Sequence, residues 1–123
     1  DLSFLVYEKS KIKVSFLEKV KSVLNLENIE IFSGGIENIP TPENKYDYVI
    51  NRGMGSLTEV AQMAKPFISK EGRIYTFKKQ QFEQELSEIT MNKDKNGVGI
   101  SEIAEYDLGN QILGLNLVSL ALV

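Results

Sequence analysis

The run YDYVINRGMG at residues 46–55 passes directly into SLTE at residues 56–59. Its aromatic and β-branched residues predict a buried strand, and Ser56 followed by Glu59 is typical of the capping box that begins a helix. The carboxyl end of the strand therefore meets a helix, at the edge where open α/β sheets bind ligands. Arg52 lies at this edge beside glycines that let a backbone or a ligand come close. Two interpretations of Arg52 stay open: a binding role, or a surface pair with a carboxylate.

Composition limits the classes of protein that the sequence can encode. The length of 123 residues and ordinary apolar content predict one globular domain over residues 1–123, and a net charge of −3 gives no electrostatic case for strong nucleic-acid binding by the whole surface. The sequence has no cysteine and no histidine, which excludes disulfides, zinc-thiolate sites and histidine-based catalysis within it. The longest apolar stretch, residues 113–123, is too short to span a bilayer, and no signal peptide is recognisable. We therefore expect a cytoplasmic protein with no membrane segment and no metal site.

Strand and helix patterns alternate on both sides of the opening stretch. Long crossovers early in the chain imply parallel strands, whereas the short last connection implies an antiparallel pair. The predicted order is β-α-β-β-α-β-α-β-β. The strands are predicted at residues 2–7, 29–32, 46–51, 73–78, 102–108 and 113–123, the helices at 10–26, 56–67 and 80–91, a tight turn at 69–72, and a polar turn or loop at 92–97.

Each predicted helix has an apolar side that we expect to face a core. In the first helix the lysines fall largely elsewhere and form either a solvated face or a phosphate-binding face. These lysines are Lys9, Lys11, Lys13, Lys19 and Lys21. The predicted apolar positions are Ile12, Phe16, Val20, Val23 and Leu24 in the first helix, Leu57, Val60, Ala61 and Ala64 in the second, and Phe82, Leu86 and Ile89 in the third. In the strand between the second and third helices, the predicted core residues are Ile74 and Phe77.

Four segments, in their order and spacing, resemble one family: LVYEKSKIKVSFL at residues 5–17, LENIEI at 26–31, YDYVINRG at 46–53 and ISKEGRIYTFK at 68–78. The resemblance is to the GidB family of small-subunit ribosomal RNA methyltransferases, which modify guanine N7. It implies the Rossmann-like α/β fold of class I S-adenosylmethionine-dependent methyltransferases, with a mostly parallel sheet and a C-terminal antiparallel hairpin. It also implies S-adenosylmethionine as cofactor and ribosomal RNA as partner.

The resemblance assigns cofactor-binding roles residue by residue. Glu8 resembles the acidic residue that takes the ribose hydroxyls of the cofactor, a task that suits a carboxylate because it can accept two hydrogen bonds. The alternative for Glu8 is a solvated strand end. Ile36 and Glu37 match the segment that borders the adenine. Gly35, the third residue assigned to this segment, departs from the family, which usually carries arginine there. Arg52 matches an arginine at the mouth shared by cofactor and substrate.

Arg52 and Lys78 are the residues to which the resemblance assigns catalytic positioning of the RNA. Guanine N7 has an in-plane lone pair and no proton to lose, so the reaction needs alignment of the reacting atoms and no general base. Arginine or lysine would fix an RNA phosphate or base for this purpose. The alternative for Lys78 is an exposed lysine at a strand end.

In the family, a strand and a glycine-rich cofactor loop come before the point at which this sequence starts. Three explanations stay open: a piece of a longer enzyme, a sheet completed by another chain or by self-association, or a non-catalytic methyltransferase-like binding or structural module. In the last case, we expect residues 2–7 to pair directly with residues 46–51. Another kind of nucleotide-binding α/β domain has little support because the sequence has no Walker loop and no dinucleotide fingerprint.

Overall fold

A computed structural model describes residues 2–79, 82–109 and 114–123 of the chain. The order of strands and helices confirms the predicted one, and the structure adds a 3₁₀ turn at Ile36–Asn38 and a short helix at Lys93–Asn96. The elements are β1 (Phe4–Glu8), α1 (Lys11–Val23), β2 (Ile29–Ser33), β3 (Tyr46–Arg52), α2 (Leu57–Ala64), β4 (Ile68–Lys78), α3 (Glu83–Met91), α4 (Lys93–Asn96), β5 (Val98–Tyr106) and β6 (Leu115–Leu122).

The chain divides into two compact units, residues 1–40 and residues 41–123. The first unit contains a two-stranded parallel sheet, in which β1 pairs with β2 from Phe4 opposite Ile29 to Glu8 opposite Ser33. Both strands therefore end at the same edge. The prediction of one domain over the whole chain stays a prediction.

Helix α1 connects the two strands of the first unit and begins at Ser10, whose side chain accepts a hydrogen bond from the Lys13 backbone N–H. The expectation that Ile12 and Phe16 face a core is wrong, because both side chains are exposed. Of the predicted positions, Val20 is half-buried, and the other half-buried apolar residues of the helix are Val14 and Leu17. The helix carries apolar residues on more than one side, so its periodicity alone could not tell which side meets the sheet. Val23 and Leu24 from the predicted apolar side are exposed as well.

The second unit contains a four-stranded sheet in the order β3-β4-β6-β5. β3 and β4 are parallel, whereas β6 is antiparallel to both β4 and β5, which confirms the predicted C-terminal hairpin. Arg52 pairs with Phe77 and Lys78 pairs with Asn116, so the carboxyl ends of β3 and β4 and the start of β6 share one edge. Neither sheet contains both β1 and β3, so the two described sheets lack the pairing expected for the non-catalytic alternative.

The hydrophobic core of the second unit lies between one face of this sheet and helices α2 and α3. The predictions for α2 and for Ile74, Phe82 and Ile89 are confirmed, and Leu86 packs against the core. Phe77 was predicted to be in the core and is 37% exposed. It stands three residues after Ile74, and side chains that far apart on a strand point to opposite faces. The buried core residues are Leu57, Val60, Ala61, Ala64, Ile68, Ile74, Phe82, Ile89, Val98, Val118 and Leu120.

The opposite face of the sheet carries exposed apolar side chains on β3. Tyr48 and Ile50 both point away from the core residues Val49 and Asn51, as alternation along a strand requires. The Tyr48 ring lies 6.1 Å from that of Tyr75, measured between centroids, in a tilted arrangement. The second face of the sheet is therefore partly aromatic.

Two predicted turns belong to regular structure. Residues 69–72 lie within β4, where the register to β3 is irregular between Tyr46 and Tyr48. A Cβ built on Gly72 would lie 2.8 Å from the Asp47 carbonyl oxygen, so glycine permits this close approach of two backbones. The polar segment 92–97 forms the short helix α4, which ends at Gly97 with φ +68°. Its polar composition resembles that of a turn, and Gly97 provides the left-handed cap.

Among the ranges described above, no helix is long and apolar enough to cross a membrane. Strand β5 begins at Val98 and not at the predicted residue 102, because the chain enters it directly from the Gly97 cap. The predicted connection at residues 109–111 falls mostly outside the described residues.

Two residues of α3 that differ in burial provide a test of which side of this helix lies in the core. Ile89 is 0% exposed and Met91, on the same helix, is 84% exposed. We expect Ile89→Ala to lower the free energy of unfolding by about 2–5 kcal/mol, because it removes buried methyl groups and leaves a cavity. Met91→Ala should change it by less than about 0.5 kcal/mol. Denaturant unfolding measures both variants, and equal losses would contradict the placement of α3.

Candidate functional site

The candidate cofactor residues of the first unit meet where β1 and β2 end. Because these strands are parallel and in register, Glu8 lies opposite Ser33, and the Gly34 backbone N–H donates to the Glu8 carbonyl oxygen at 2.9 Å. Gly35 follows at once as the N-cap of the 3₁₀ turn Ile36–Asn38, which contains Ile36 and Glu37. Four predicted site residues, Glu8, Gly35, Ile36 and Glu37, are thus gathered at one edge of the sheet.

The Glu8 carboxylate is held by the backbone of the following turn. Its Oε1 accepts a hydrogen bond from the Ser10 N–H at 3.0 Å, and the residue is half-buried. This bond fixes the direction of the side chain and leaves Oε2 without a hydrogen-bond partner among the described residues. A carboxylate held in this way can still accept hydrogen bonds from a diol.

Gly35 is buried, and the Glu37 carboxylate occupies the space where a side chain at position 35 would begin. A Cβ built at Gly35 would collide with the Glu37 carboxylate, whereas the backbone φ of −82° is open to any residue. The Glu37 side chain is exposed and flexible, so a larger residue at position 35 would displace this carboxylate and leave the backbone as it is. Ile36 is buried beside it, and the Glu37 carboxylate makes an exposed ion pair with Lys9 at 3.6 Å. Such a pair contributes little stability because water and salt screen it.

Tyr7 carries the perturbed pKa of this edge. Burial of its hydroxyl raises the pKa above the ordinary value of 10.0, and the nearby charge of Glu37 raises it further. The two causes are distinct, loss of hydration and charge repulsion, and each makes the tyrosinate anion harder to form. Tyr7 therefore stays neutral at physiological pH.

In the second unit, Arg52 lies at the carboxyl end of β3 with an exposed side chain. Its neighbour Asn51 points the other way into the core, where its Oδ1 accepts a hydrogen bond from the Thr76 hydroxyl at 2.8 Å. Successive residues of a strand point to opposite faces, so this inward bond fixes the outward direction of Arg52. No carboxylate within the described ranges lies within 4.0 Å of the Arg52 guanidinium, so the predicted alternative of a surface ion pair is not found there.

The loop from Gly53 to Ser56 connects Arg52 to helix α2. Gly53 has φ +67° and Gly55 has φ +116°, two conformations that side-chain-bearing residues rarely adopt. A Cβ on Gly55 would also collide with the Glu59 carboxylate. That carboxylate accepts from the Ser56 N–H at 2.9 Å, and Ser56 Oγ accepts from the Glu59 N–H at 3.2 Å, which confirms the predicted capping box.

Lys78 does not extend freely from the end of β4. Its ammonium group donates to Glu85 Oε1 at 2.8 Å and to the Gly55 carbonyl oxygen at 2.6 Å, and its side chain is 14% exposed. The alternative of an exposed lysine at a strand end is therefore wrong. The predicted contact of Lys78 with RNA stays a prediction. Glu85 lies on α3, and no local pattern in the sequence identified it.

The order of strands and helices, with a parallel start and an antiparallel C-terminal hairpin, is that of a class I methyltransferase fold. A putative RNA methyltransferase from Pyrococcus horikoshii aligns over 98% of this chain and 63% of its own, with a TM-score of 0.72 and 14% identity. A SAM-dependent methyltransferase from Aquifex aeolicus aligns over 98% of this chain and 69% of its own, with a TM-score of 0.68 and 14% identity. At such low identity the likeness establishes the fold alone.

The sequence then narrows the class to one family. Residues 1–111 match the GidB family, rRNA small subunit methyltransferase G, and the chain belongs to it. One relative is ribosomal RNA small subunit methyltransferase G of Syntrophus aciditrophicus, 29% identical over 111 residues that cover 87% of this chain and 46% of the relative. The chain spans about half the length of the curated relatives that it matches.

The raised pKa of Tyr7 gives a test of the edge formed by β1 and β2. Because the folded pKa is raised, this tyrosine stabilises the fold fully below its unfolded pKa of about 10, and the contribution is lost as pH rises through the folded value. Glu37→Gln should lower the Tyr7 pKa and leave it above the ordinary value, since burial remains.

Tyrosinate absorbance, compared with a Tyr7→Phe reference, measures this pKa. Glu30→Gln, an exposed change on β2, is the control and should leave it unchanged. A Tyr7 that titrates at its ordinary value in the parent chain would contradict the arrangement.

Proposed function

We propose that this chain is part of a methyltransferase that uses S-adenosylmethionine to methylate guanine N7 of small-subunit ribosomal RNA. The observation that carries the proposal is the placement of Glu8 beside Gly35–Glu37 at one sheet edge, in a chain of the GidB family. The curated relatives bear the name of a ribosomal RNA methyltransferase. A ribosomal RNA substrate would place the protein in the cytoplasm.

The residues at the end of β1 and β2 suit the cofactor chemically. Glu8 has one carboxylate oxygen fixed by Ser10 and the other free to accept from the ribose hydroxyls. Gly35 and Ile36 would border the adenine through their backbone, with the Glu37 carboxylate beside them. When bound, S-adenosylmethionine supplies an activated methyl group. The chain's own residues bind and orient it.

Arg52 is the residue that we assign to holding the RNA. Its guanidinium is exposed, is not paired with a described carboxylate, and stands before a loop whose glycines allow a base or phosphate to come close. A planar guanidinium can form two parallel hydrogen bonds to a phosphate or to the guanine edge. Arg52 would also border the cofactor, as its match to the family implies.

The proposed chemistry needs no proton transfer from the protein. Guanine N7 presents a lone pair in the plane of the ring and carries no proton, so a chain with neither histidine nor cysteine can support the reaction. The contribution of the protein is then to align the base with the methyl group and to exclude water. Correct alignment alone can lower a barrier by about 7–11 kcal/mol.

Cofactor binding by the whole protein that carries this chain tests the proposal. We expect calorimetric titration with the demethylated cofactor to give binding, and Glu8→Gln to weaken it about 10- to 100-fold, because a charged acceptor for the ribose is lost. Glu30→Gln on β2 is the charge-matched control and should bind as the parent does. Transfer of labelled methyl groups to small-subunit ribosomal RNA, followed by mapping of the modified base, tests the substrate.

The results distinguish three parts of the proposal: cofactor binding, the role of Glu8 and the position of the base that is methylated. Absence of cofactor binding by the folded whole protein would contradict the enzyme and favour the non-catalytic module. Binding that is equal in the parent and in Glu8→Gln would contradict the role of Glu8 alone. Methylation at another position of the base would contradict the assignment to N7.

A further inference from the structure

One carboxylate in the second unit connects three elements around the loop that follows Arg52. Glu85 Oε1, on α3, accepts from the Lys78 ammonium at 2.8 Å and from the Leu57 backbone N–H at 3.1 Å. Lys78, at the end of β4, also donates to the Gly55 carbonyl oxygen at 2.6 Å. The side chains of Lys78 and Glu85 are only 14% and 27% exposed. Both ends of the short Gly55–Leu57 segment are thereby attached to the body of the unit.

These hydrogen bonds restrain a loop whose own sequence favours no single backbone conformation. Gly53 and Gly55 permit many backbone conformations, and ordering them costs more entropy than ordering other residues. The capping box with Glu59 orders Ser56, whereas the Gly55 carbonyl is held by Lys78 and the Leu57 N–H by Glu85. Met54 packs against the core from the middle of the loop, so loss of the pair would loosen the Gly55–Leu57 segment next to Arg52 while the capping box remains.

We propose that Lys78 and Glu85 form a positioning pair, which holds the Gly53–Ser56 loop in one conformation and so fixes how Arg52 is presented to the RNA. The proposal rests on the function proposed above and deepens it. Lys78 acts through the loop and makes no direct contact with RNA. Glu85, which carries no assigned role, is its required partner.

The geometry favours this role over a direct phosphate contact. Two of the three donors of the Lys78 ammonium are used, its charge is balanced by Glu85, and the group is mostly buried. A phosphate would have to displace Glu85 or the Gly55 carbonyl to reach it. Such an exchange would undo the loop conformation that the same lysine maintains.

The test uses the whole protein and four variants: Lys78→Met, Glu85→Gln, their double variant, and Lys70→Met. Lys70 is an exposed residue near the opposite end of β4 and serves as the charge-matched control. Methyl-transfer kinetics give kcat and KM, and RNA binding is measured over a range of salt concentrations. Hydrogen exchange of the amides of residues 53–57 reports the loop directly, without any need for activity.

We expect Lys78→Met and Glu85→Gln each to lower kcat about 10- to 100-fold, because a small misplacement of a positioning group has effects of that size. The double variant should be no worse than the more affected single variant, since the two residues act as a unit. RNA affinity and its salt dependence should stay within about twofold of the parent, because no phosphate contact is removed. Lys70→Met should match the parent throughout.

A different pattern would overturn the proposal. If Lys78→Met weakens RNA binding and lowers the salt slope by about one, with Glu85→Gln unaffected, Lys78 contacts a phosphate directly. If hydrogen exchange of the loop amides is unchanged in both single variants, the pair does not hold the loop, whether or not the protein methylates RNA. If the parent protein transfers no methyl group but the loop amides exchange faster in both variants, the proposed function fails and the positioning pair stands.

Discussion

Parallel pairing of neighbouring strands is the constraint on which both candidate regions depend. Two parallel strands that pair in register must end at the same edge, which brings Glu8 next to the segment after β2 and Arg52 next to the end of β4. Residues far apart in the sequence thereby become neighbours without any specific side-chain attraction. The polar contacts then refine this placement: Ser10 orients Glu8, and the bond between Asn51 and Thr76 directs Arg52 outward.

The chain turns after β2 and again after β3, and different interactions stabilise the two turns. After β2, Gly35 leaves room for the Glu37 side chain to fold over the backbone, and an exposed ion pair with Lys9 adds little rigidity. After β3, glycines supply the left-handed conformations, and a half-buried ion pair together with a capping box restrains them. The second loop is therefore the more strictly determined of the two.

Local patterns were sufficient to predict the order of elements, the capping box at Ser56 and the C-terminal hairpin. Each of these depends on a few neighbouring residues, such as Ser56 and Glu59, or on a connection too short for a crossover. The early crossovers predicted parallel strands without saying which strands pair, so the neighbourhood of Glu8 and the segment after β2 is a finding of the structure. The roles of the site residues followed only from the family resemblance.

The remaining features depend on contacts that sequence spacing does not encode. The side of α1 that becomes buried depends on where the rest of the unit packs against it: Val14 and Leu17 are half-buried, whereas Ile12 is exposed. The strand at residues 69–72 depends on an irregular register with β3. The ion pair of Lys78 with Glu85 joins a strand to a helix through tertiary packing. A glycine-rich or polar segment can be a turn, a strand or a helix, and only its long-range partners decide which.

The exposed face of β3 has a consequence for what this strand can pair with. Tyr48 and Ile50 present apolar surface on a strand that has a pairing partner on one side only within its sheet. An open strand edge next to exposed aromatic and branched side chains is a template for adding further strands. Within the second unit, β3 is therefore an edge strand suited to pairing with a further strand.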